Sequence, residues 1–564
     1  MLNHLKLENS SYLQGYKNSY INWYPWGEKA FKKAKDENKS IFLSIGDSYS
    51  HWSTLMDEES FSKEHIAELL NERFISIKVD AQEHPEVVKH YKKVHKIMNR
   101  SIAGFPLSIF MTENLEPFYA GSYIAPEAQK ELLGFEALLR VVSNKYITDH
   151  NTLVEKGREV LENINPKEKK IEATRLHLDI LKTITTHADT LIDKKNGGFG
   201  TAPKFANSPT LELLLDTYEL TKNRTLLNTI TNSLDAISKG NLYDHKEGGF
   251  YSYTTDEKWE KPYLLKTTYD NALIIKLYLR AYQITGNEKY KNIAFESIDF
   301  MIKKMSESKL FFAKIYENID IDKAIITSWN SIMISTLFMA STINSRYKQI
   351  AIESLEALFE KLYNNSTLYH ITQLDSKPKI EAFLEDYTYL GDSLILAYQS
   401  TLDESYLIRA TKFSNLIIEK FYKYGKWNFS NGQLTIEEEI FDTPYPSSVS
   451  VAGSLLMSIS SLVDTNYKKF VFKTLELNSY NLMRQPLSSP KLTQLLLRYL
   501  KDDIIIKSNE ISLKKLLKER ASMEYPYILF KTTLDKDIII CNSSTSLAKT
   551  TEPNEVKRLI ESHR

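Results

Sequence analysis

The chain has 564 residues, too many for one ordinary hydrophobic core, so two or three domains are expected. Its 42% apolar and 26% charged residues are a globular balance, and 72 basic side chains against 72 acidic ones give zero formal net charge. That neutrality argues against a nucleic-acid binder held by excess cations, and no run approaches the roughly 20 apolar residues of a membrane helix. The N-terminal MLNHLKLENSSYLQGY carries no basic-then-apolar leader pattern, so a cytoplasmic location is expected.

From Trp23 to about residue 150, short apolar runs alternate with helical patterns. WGEKAFKKAKDENKS reads as an amphipathic helix, IFLSIGD as a buried strand and Phe61–Phe74 as a helix. ISIKVDA is a strand, Pro85 to about Met98 a helix, FPLSIFMT and PFYAGSY two strands around Glu113–Pro117, and FEALLRVVSNKY a closing helix. The order β-α-β-α-β-β-α is that of a thioredoxin-like domain, placed at residues 1–150. The charge-dense 151–174 reads as a helical connector.

Between 175 and 500 the alternation disappears, and paired helical patterns recur. About twelve helices form six hairpins, each with an apolar stripe that must bury against its neighbours. A closed (α/α)6 toroid is expected over an open solenoid. The long loops KKNGGFGTAPKF and HKEGGFYSYTTDEKW, rich in glycine and aromatic residues, suit a cup with a site at one end. Past residue 500, DDIIIKS, YPYILFKTT and KDIIICN read as strands separated by helices, a small α/β segment at 501–564.

Cys541 is the single cysteine, so no intramolecular disulfide and no cysteine-based metal cage can form. It reads as a small buried hydrophobe at a strand end. His90 and His95 lie about 140° apart around a helix, which is not the spacing of paired ligands. With His84 they invite a metal reading that this spacing does not support; the KHYKKVHK run is read as a solvated face, and no metal or other cofactor is expected.

Four stretches carry a family resemblance: NHLKLENSSYLQGYKNSYINWYPWGEKAF, SIGDSYSHWSTLMDEESF, the group GGFGTAPKF, GGFYSYTTDEKW, TSWNSIMI and FLEDYTYL, and CNSSTSLAKTTEP. Together they resemble the thioredoxin-domain proteins of the spermatogenesis-associated protein 20 type, over nearly the whole chain. That family shows Cys-His-Trp-Cys where this chain has Ser50-His51-Trp52-Ser53, and a second tail cysteine where Ser546 stands. A thiolate is the nucleophile of thiol exchange, and serine forms no disulfide, so this front end is expected to be redox-dead. Pro106 stands where the resemblance implies a cis-proline opposite the motif. Ser50 or Ser53 is read as a helix N-cap rather than as a nucleophile activated by His51. Trp52 is read as partly buried.

In the helical part, carbohydrate recognition would need aromatic faces together with carboxylates and amides. Candidates where loops run into helices are Asp256, Tyr269, Asp270, Asn271, Trp329, Asn330, Glu385, Asp386 and Tyr387, with Lys204 and His245 in glycine-rich loops. Relatives read His-Phe-Glu-Lys-Met where this chain has Tyr263 to Thr267, and Pro-Ser-Gly-Asn where it has Pro446 to Val449. A histidine base, a carboxylate and an amide of the family pattern are therefore gone. Two functions are weighed: a barrel that binds a sugar-like small molecule, and a non-catalytic interaction protein docking a partner near Trp52 and Pro106.

Overall fold

The computed structural model describes residues 3–129, 132–164, 172–520 and 523–562. Two compact units result: Met1–Lys170 with the short segments 375–377 and 432–436, and a second unit holding the rest. The segment 501–564 clusters with the helical part rather than standing alone. Of the expected connector, 151–164 is helical within the first unit, and 165–171 lies outside the described residues. No helix among the described residues is long and apolar enough to cross a membrane.

The first unit is built from α1 (Glu28–Glu37), β1 (Ser40–Gly46), α2 (His51–Met56), α3 (Glu64–Arg73) and β2 (Phe74–Asp80). It continues with α4 (Pro85–Asn99), β3 (Leu107–Met111), β4 (Pro117–Gly121), α5 (Phe135–Thr148) and α6 (His150–Ile164). The sheet order is β2-β1-β3-β4, with β1 parallel to β2 and antiparallel to β3. Every residue of β1 and β2 is buried, although β2 ends this order, because both faces of the sheet are covered. Alternate side chains divide the core: Phe42, Phe74 and Phe110 pack on one face, and Ile41, Leu43, Ile77 and Ile109 on the other. This is the thioredoxin-like fold read from the sequence.

The second unit contains twelve paired helices: α7 (Ile180–Leu191), α8 (Ser208–Thr221), α9 (Arg224–Lys239), α10 (Thr268–Thr285), α11 (Glu288–Lys304) and α12 (Thr327–Ser341). There follow α13 (Arg346–Leu362), α14 (Leu384–Thr401), α15 (Glu404–Phe421), α16 (Ser448–Leu462), α17 (Lys468–Arg484) and α18 (Pro490–Lys501). The even-numbered helices touch in sequence, and α18 returns to α8, which closes the ring as an (α/α)6 toroid. Inner helices are covered on both sides and so are apolar nearly all round; in α12, Thr327 through Ile334 are all buried. Outer helices keep a single buried stripe, as in α9 with Leu226, Ile230, Ser233, Leu234 and Ile237.

Three of the inner-to-outer turns use one chemical device. Lys222, Gly286 and Leu402 take left-handed backbone (φ 56°, 69° and 63°), and the next residue caps the outer helix. Asn223, Asn287 and Asp403 accept the N–H groups of Thr225, Lys289 and Ser405 at 3.0, 3.1 and 2.9 Å.

The terminal segment adds β5 (Ile504–Ser508), α19 (Glu510–Glu519), β6 (Ile528–Thr532), β7 (Ile538–Cys541), β8 (Ser546–Thr550) and α20 (Val556–Ser562). Its order β6-β5-β7-β8 and its strand directions repeat those of the front sheet. Two sequence expectations change here. A helix separates β5 from β6, but only the polar turn 533–537 separates β6 from β7, and the short polar run SLAKT forms a fourth strand. Cys541 is 6% exposed and lies opposite Ser546 across the β7–β8 ladder. Edge strand β6 is tied to α14: Gln399 donates to the Phe530 carbonyl at 3.0 Å and accepts its N–H at 2.8 Å.

Candidate functional site

The toroid encloses a cavity of about 770 Å³ to which all six inner helices contribute, along with the segment around α19 and β6. Its centre is a charge network. Glu212 on α8 accepts Lys276 of α10 at 2.6 Å and Lys491 of α18 at 3.2 Å. One helical turn further along, Arg280 binds Asp216 at 2.7 Å and Glu219 at 2.5 Å, and Gln494 donates to Asp216 at 2.5 Å. Arg498 is held by Asp503 at 2.7 Å. Asp392 of α14 and Tyr389 line the same space.

Two of the lumenal carboxyls are pushed in opposite directions. Burial alone would raise Glu212, but Lys276, Lys491 and Arg280 hold it well below the usual carboxylate range. Burial raises Asp392 against the weaker pull of Lys276, Lys491 and Arg498. Burial also lowers Lys491. Carboxyls displaced in opposite directions within one space are the pattern that acid–base chemistry also uses.

At the N-terminal ends of the inner helices the lumen is closed. Tyr389 donates to the Pro446 carbonyl at 2.6 Å, and Tyr445 donates to Glu385 at 2.8 Å. The Tyr445 ring lies 5.0 Å from Tyr269, which lies 4.7 Å from Trp329. Beside this cap the buried Asp386 accepts Ser328 N–H at 3.1 Å, Phe383 N–H at 2.9 Å and His370 Nδ1 at 2.8 Å. His370, Glu385 and Asp386 place ligand-type atoms within 4.8 Å of one another, but both carboxylates already serve the cap and the helix start.

Among the residues singled out from the sequence, Tyr269, Asp270, Trp329, Glu385 and Asp386 belong to helix starts at this closed end, not to the lumen wall. Asn271 and Asn330 each clamp a preceding loop. Asn271 accepts Phe250 N–H at 2.7 Å and donates to its carbonyl at 3.0 Å; Asn330 does the same to Phe311 at 2.7 and 2.9 Å. Tyr387 points between α14 and α15, its hydroxyl 3.2 Å from Lys420. The buried Lys204 binds Asp193 at 2.6 Å and the Glu257 carbonyl at 3.0 Å. Asp256 accepts N–H groups of its own loop, from Lys258 at 2.7 Å and Lys261 at 2.5 Å. His245 is exposed, with its ring on the Gly240 carbonyl at 3.0 Å.

Lys204 has a counterpart that the sequence reading missed: Lys266 binds Asp244 at 2.7 Å and the Gly248 carbonyl at 2.8 Å. The signal was present, since DKKNGGF and DHKEGGF begin at Asp193 and Asp244. Also missed were Glu212, Lys276, Arg280, Asp392 and Lys491.

Burial pushes the Asp270 carboxyl up to about 6, against the Thr267 hydroxyl that donates to it at 2.7 Å. An unfolded aspartate titrates near 3.9. Between about pH 4 and 6 the folded chain thus keeps a proton that the unfolded chain has shed, so this group's contribution to stability falls as pH rises across that window. Asp270→Asn should remove that slope in thermal unfolding and melt above the parent at pH 7; an unchanged pH profile would contradict the assignment.

In the first unit, Ser50 caps α2: its Oγ accepts Ser53 N–H at 3.4 Å and donates to the Phe105 carbonyl at 3.0 Å. Among the described residues no serine–imidazole bond involves His51, which is exposed. Phe105–Pro106 is cis. Ser53 is 2% exposed, and its hydroxyl finds no partner among the described residues. Trp52 is 51% exposed, its inner side against Tyr123 at 5.0 Å. His84 is engaged by Glu86 at 2.8 Å; His95 is buried rather than on a solvated face, because its side of the helix packs inward, and its ring lies 3.2 Å from the Ser101 carbonyl.

Fold and site together define a protein with a thioredoxin-like unit and an (α/α)6 barrel whose lumen is charged. Residues 2–165 match the family model Thioredox_DsbH, described as a protein of unknown function, DUF255. The chain is 34% identical over 315 residues to mouse spermatogenesis-associated protein 20, covering 54% of this chain and 40% of that one. It is 32% identical over 317 residues to the uncharacterized protein B0495.5 of Caenorhabditis elegans, covering 55% and 43%. These matches span less than half the length of either relative. The resemblance read from the sequence motifs is thereby borne out over about half of the chain, not over nearly all of it. Among solved structures, a D-mannose isomerase aligns with TM-score 0.48 at 13% identity, covering 58% of this chain and 98% of that one. A sugar epimerase from a ruminal bacterium aligns with TM-score 0.46 at 14% identity, covering 54% and 85%.

Proposed function

We propose that this chain is a thioredoxin-domain protein without thiol–disulfide exchange at its front motif, and that its barrel binds a sugar-like small molecule in the lumen. The observation that carries the second part is the charged wall of the 770 Å³ cavity, where Glu212, Asp392, Lys276 and Lys491 converge from four inner helices. Donors and acceptors facing one enclosed space suit a polyhydroxylated ligand, and the volume is that of a small-molecule site. Absence of exchange chemistry follows from hydroxyls at both sulfur positions.

A thermal-shift screen of the full chain against sugars, amino sugars and sugar phosphates tests the lumen reading. A ligand at a hundred times its dissociation constant adds about 2.7 kcal/mol to stability, a readily seen rise in the melting midpoint. No shift with any compound would count against it.

The half-exposed Trp52 supports a second reading, a non-catalytic protein that docks a partner on the front surface. Binding of such a partner should weaken on Trp52→Ala; indifference to that change would remove this surface from consideration.

A further inference from the structure

Charge is unevenly distributed along the lumen. In its deep part four carboxylates (Glu212, Asp216, Glu219 and Asp392) face four cations (Lys276, Arg280, Lys491 and Arg498). At the C-terminal ends of the inner helices the wall carries five more cations, Lys348, Lys514, Lys515, Lys518 and Arg520, and no further carboxylate. Three of the five come from α19, which runs beside β5 in the terminal sheet. The chain as a whole is neutral, so this is a local excess and not a reflection of composition.

Two features show that the excess is not cancelled nearby. Lys514 pairs with Glu510 one helical turn back at 2.5 Å, but no carboxylate contacts Lys515 or Lys518 among the described residues. Lys348 donates to the Ser400 carbonyl, and Arg520 to the Met523 carbonyl at 3.4 Å; both acceptors are neutral. Like charges lie close enough to matter, since Lys514 adds to the burial that lowers Lys348, and Arg280 adds to the burial that lowers Arg520 against the somewhat larger opposite pull of Glu219. Holding cations together in this way costs stability unless an anion joins them.

This end is also the way in. Thr342, Ser345, Lys514 and Lys518 are exposed here, whereas the opposite end is shut by buried Tyr389 and Pro446. A ligand reaching the lumen therefore passes the cations first, and its last part to enter stays beside them.

Resting on the lumen reading above, we infer that the ligand is an anionic sugar, whose polyol body reaches the Glu212–Asp392 region while its phosphate ester or carboxylate stays among Lys348, Lys515, Lys518 and Arg520. Phosphate and carboxylate share the chemistry these groups recognise, and the experiment separates them.

Calorimetry on the full chain would compare a neutral hexose, its 6-phosphate, the matching uronate and inorganic phosphate, for the parent and for Lys515→Glu/Lys518→Glu. Both substituted positions are exposed, so the fold is expected to survive; circular dichroism checks this. At least one charged sugar should bind tenfold or more tighter than the neutral one, and the double substitution should erase that advantage while leaving neutral-sugar affinity within twofold. Preference for the phosphate over the uronate identifies a phosphate ester as the source of the charge, and the reverse order a carboxylate. Equal affinity for neutral and charged sugars would overturn the inference and leave the lumen reading standing. Binding of inorganic phosphate with no sugar bound, charged or neutral, would overturn both.

Discussion

Arg280→Met lowers the stability of the barrel by about 3–5 kcal/mol, the usual cost of removing one partner from a buried ion pair. Arg280 is 13% exposed and holds Asp216, which is 2% exposed, together with Glu219. Without it Asp216 keeps neutral partners, Gln494 at 2.5 Å and the Tyr527 hydroxyl, and two carboxylates on one face of α8 are left facing each other. The thermal midpoint of the full chain should fall well below the parent's. Asp216→Asn in the same chain should recover part of the loss, because the stranded charge is the cause. A midpoint unchanged by Arg280→Met would show that water in the lumen already screens these groups.

Restoring sulfur to the front motif should convert an inert surface into a redox one. Ser50→Cys/Ser53→Cys puts one thiol at the cap of α2 and one in its first turn, facing the cis Phe105–Pro106 bond. A helix N-terminus lowers a thiol pKa to about 3.5–7.5, so the position 50 sulfur would react as thiolate at neutral pH. The double variant should lose two thiols on oxidation and regain them with reductant, while the parent shows no such change at these positions. Ser53→Cys alone should also raise stability. It replaces a buried hydroxyl that lacks a partner among the described residues, a state that costs about 1–3 kcal/mol, with a group suited to apolar surroundings. A double variant that stays reduced under oxidant would mean that more than the sulfurs has been lost.

Both folds were legible because their signals are local. Strands such as IFLSIGD are apolar throughout and flanked by amphipathic helices, and the hairpin helices repeat in pairs whose turns read T-K-N, T-G-N and T-L-D at Thr221, Thr285 and Thr401. The strand SLAKT escaped notice since an edge strand needs little apolar content when its partner supplies the burial. The lumen was harder to read. In an inner helix two faces are covered, and the sequence does not label which covered face looks inward. Spacing held a clue: Glu212, Asp216 and Glu219 recur at four and three residues within an apolar helix, as do Lys276 with Arg280, and Lys491, Gln494 and Arg498. A charged stripe on an otherwise buried helix has to face a polar interior. The helix starts carry the more conspicuous motifs, but there Asn271, Asn330 and Asp386 serve mainly to hold loops.

Calorimetric titration of the best-shifting sugar into the parent, Asp392→Asn and Trp52→Ala tests the central claim most directly. The lumen account predicts a single site in the parent, at least tenfold weaker binding in Asp392→Asn from a lost hydrogen bond to a charged or strongly polarised group worth about 1.5–3 kcal/mol, and parent-like binding in Trp52→Ala. Affinity that survives Asp392→Asn unchanged, or that falls with Trp52→Ala instead, would contradict it.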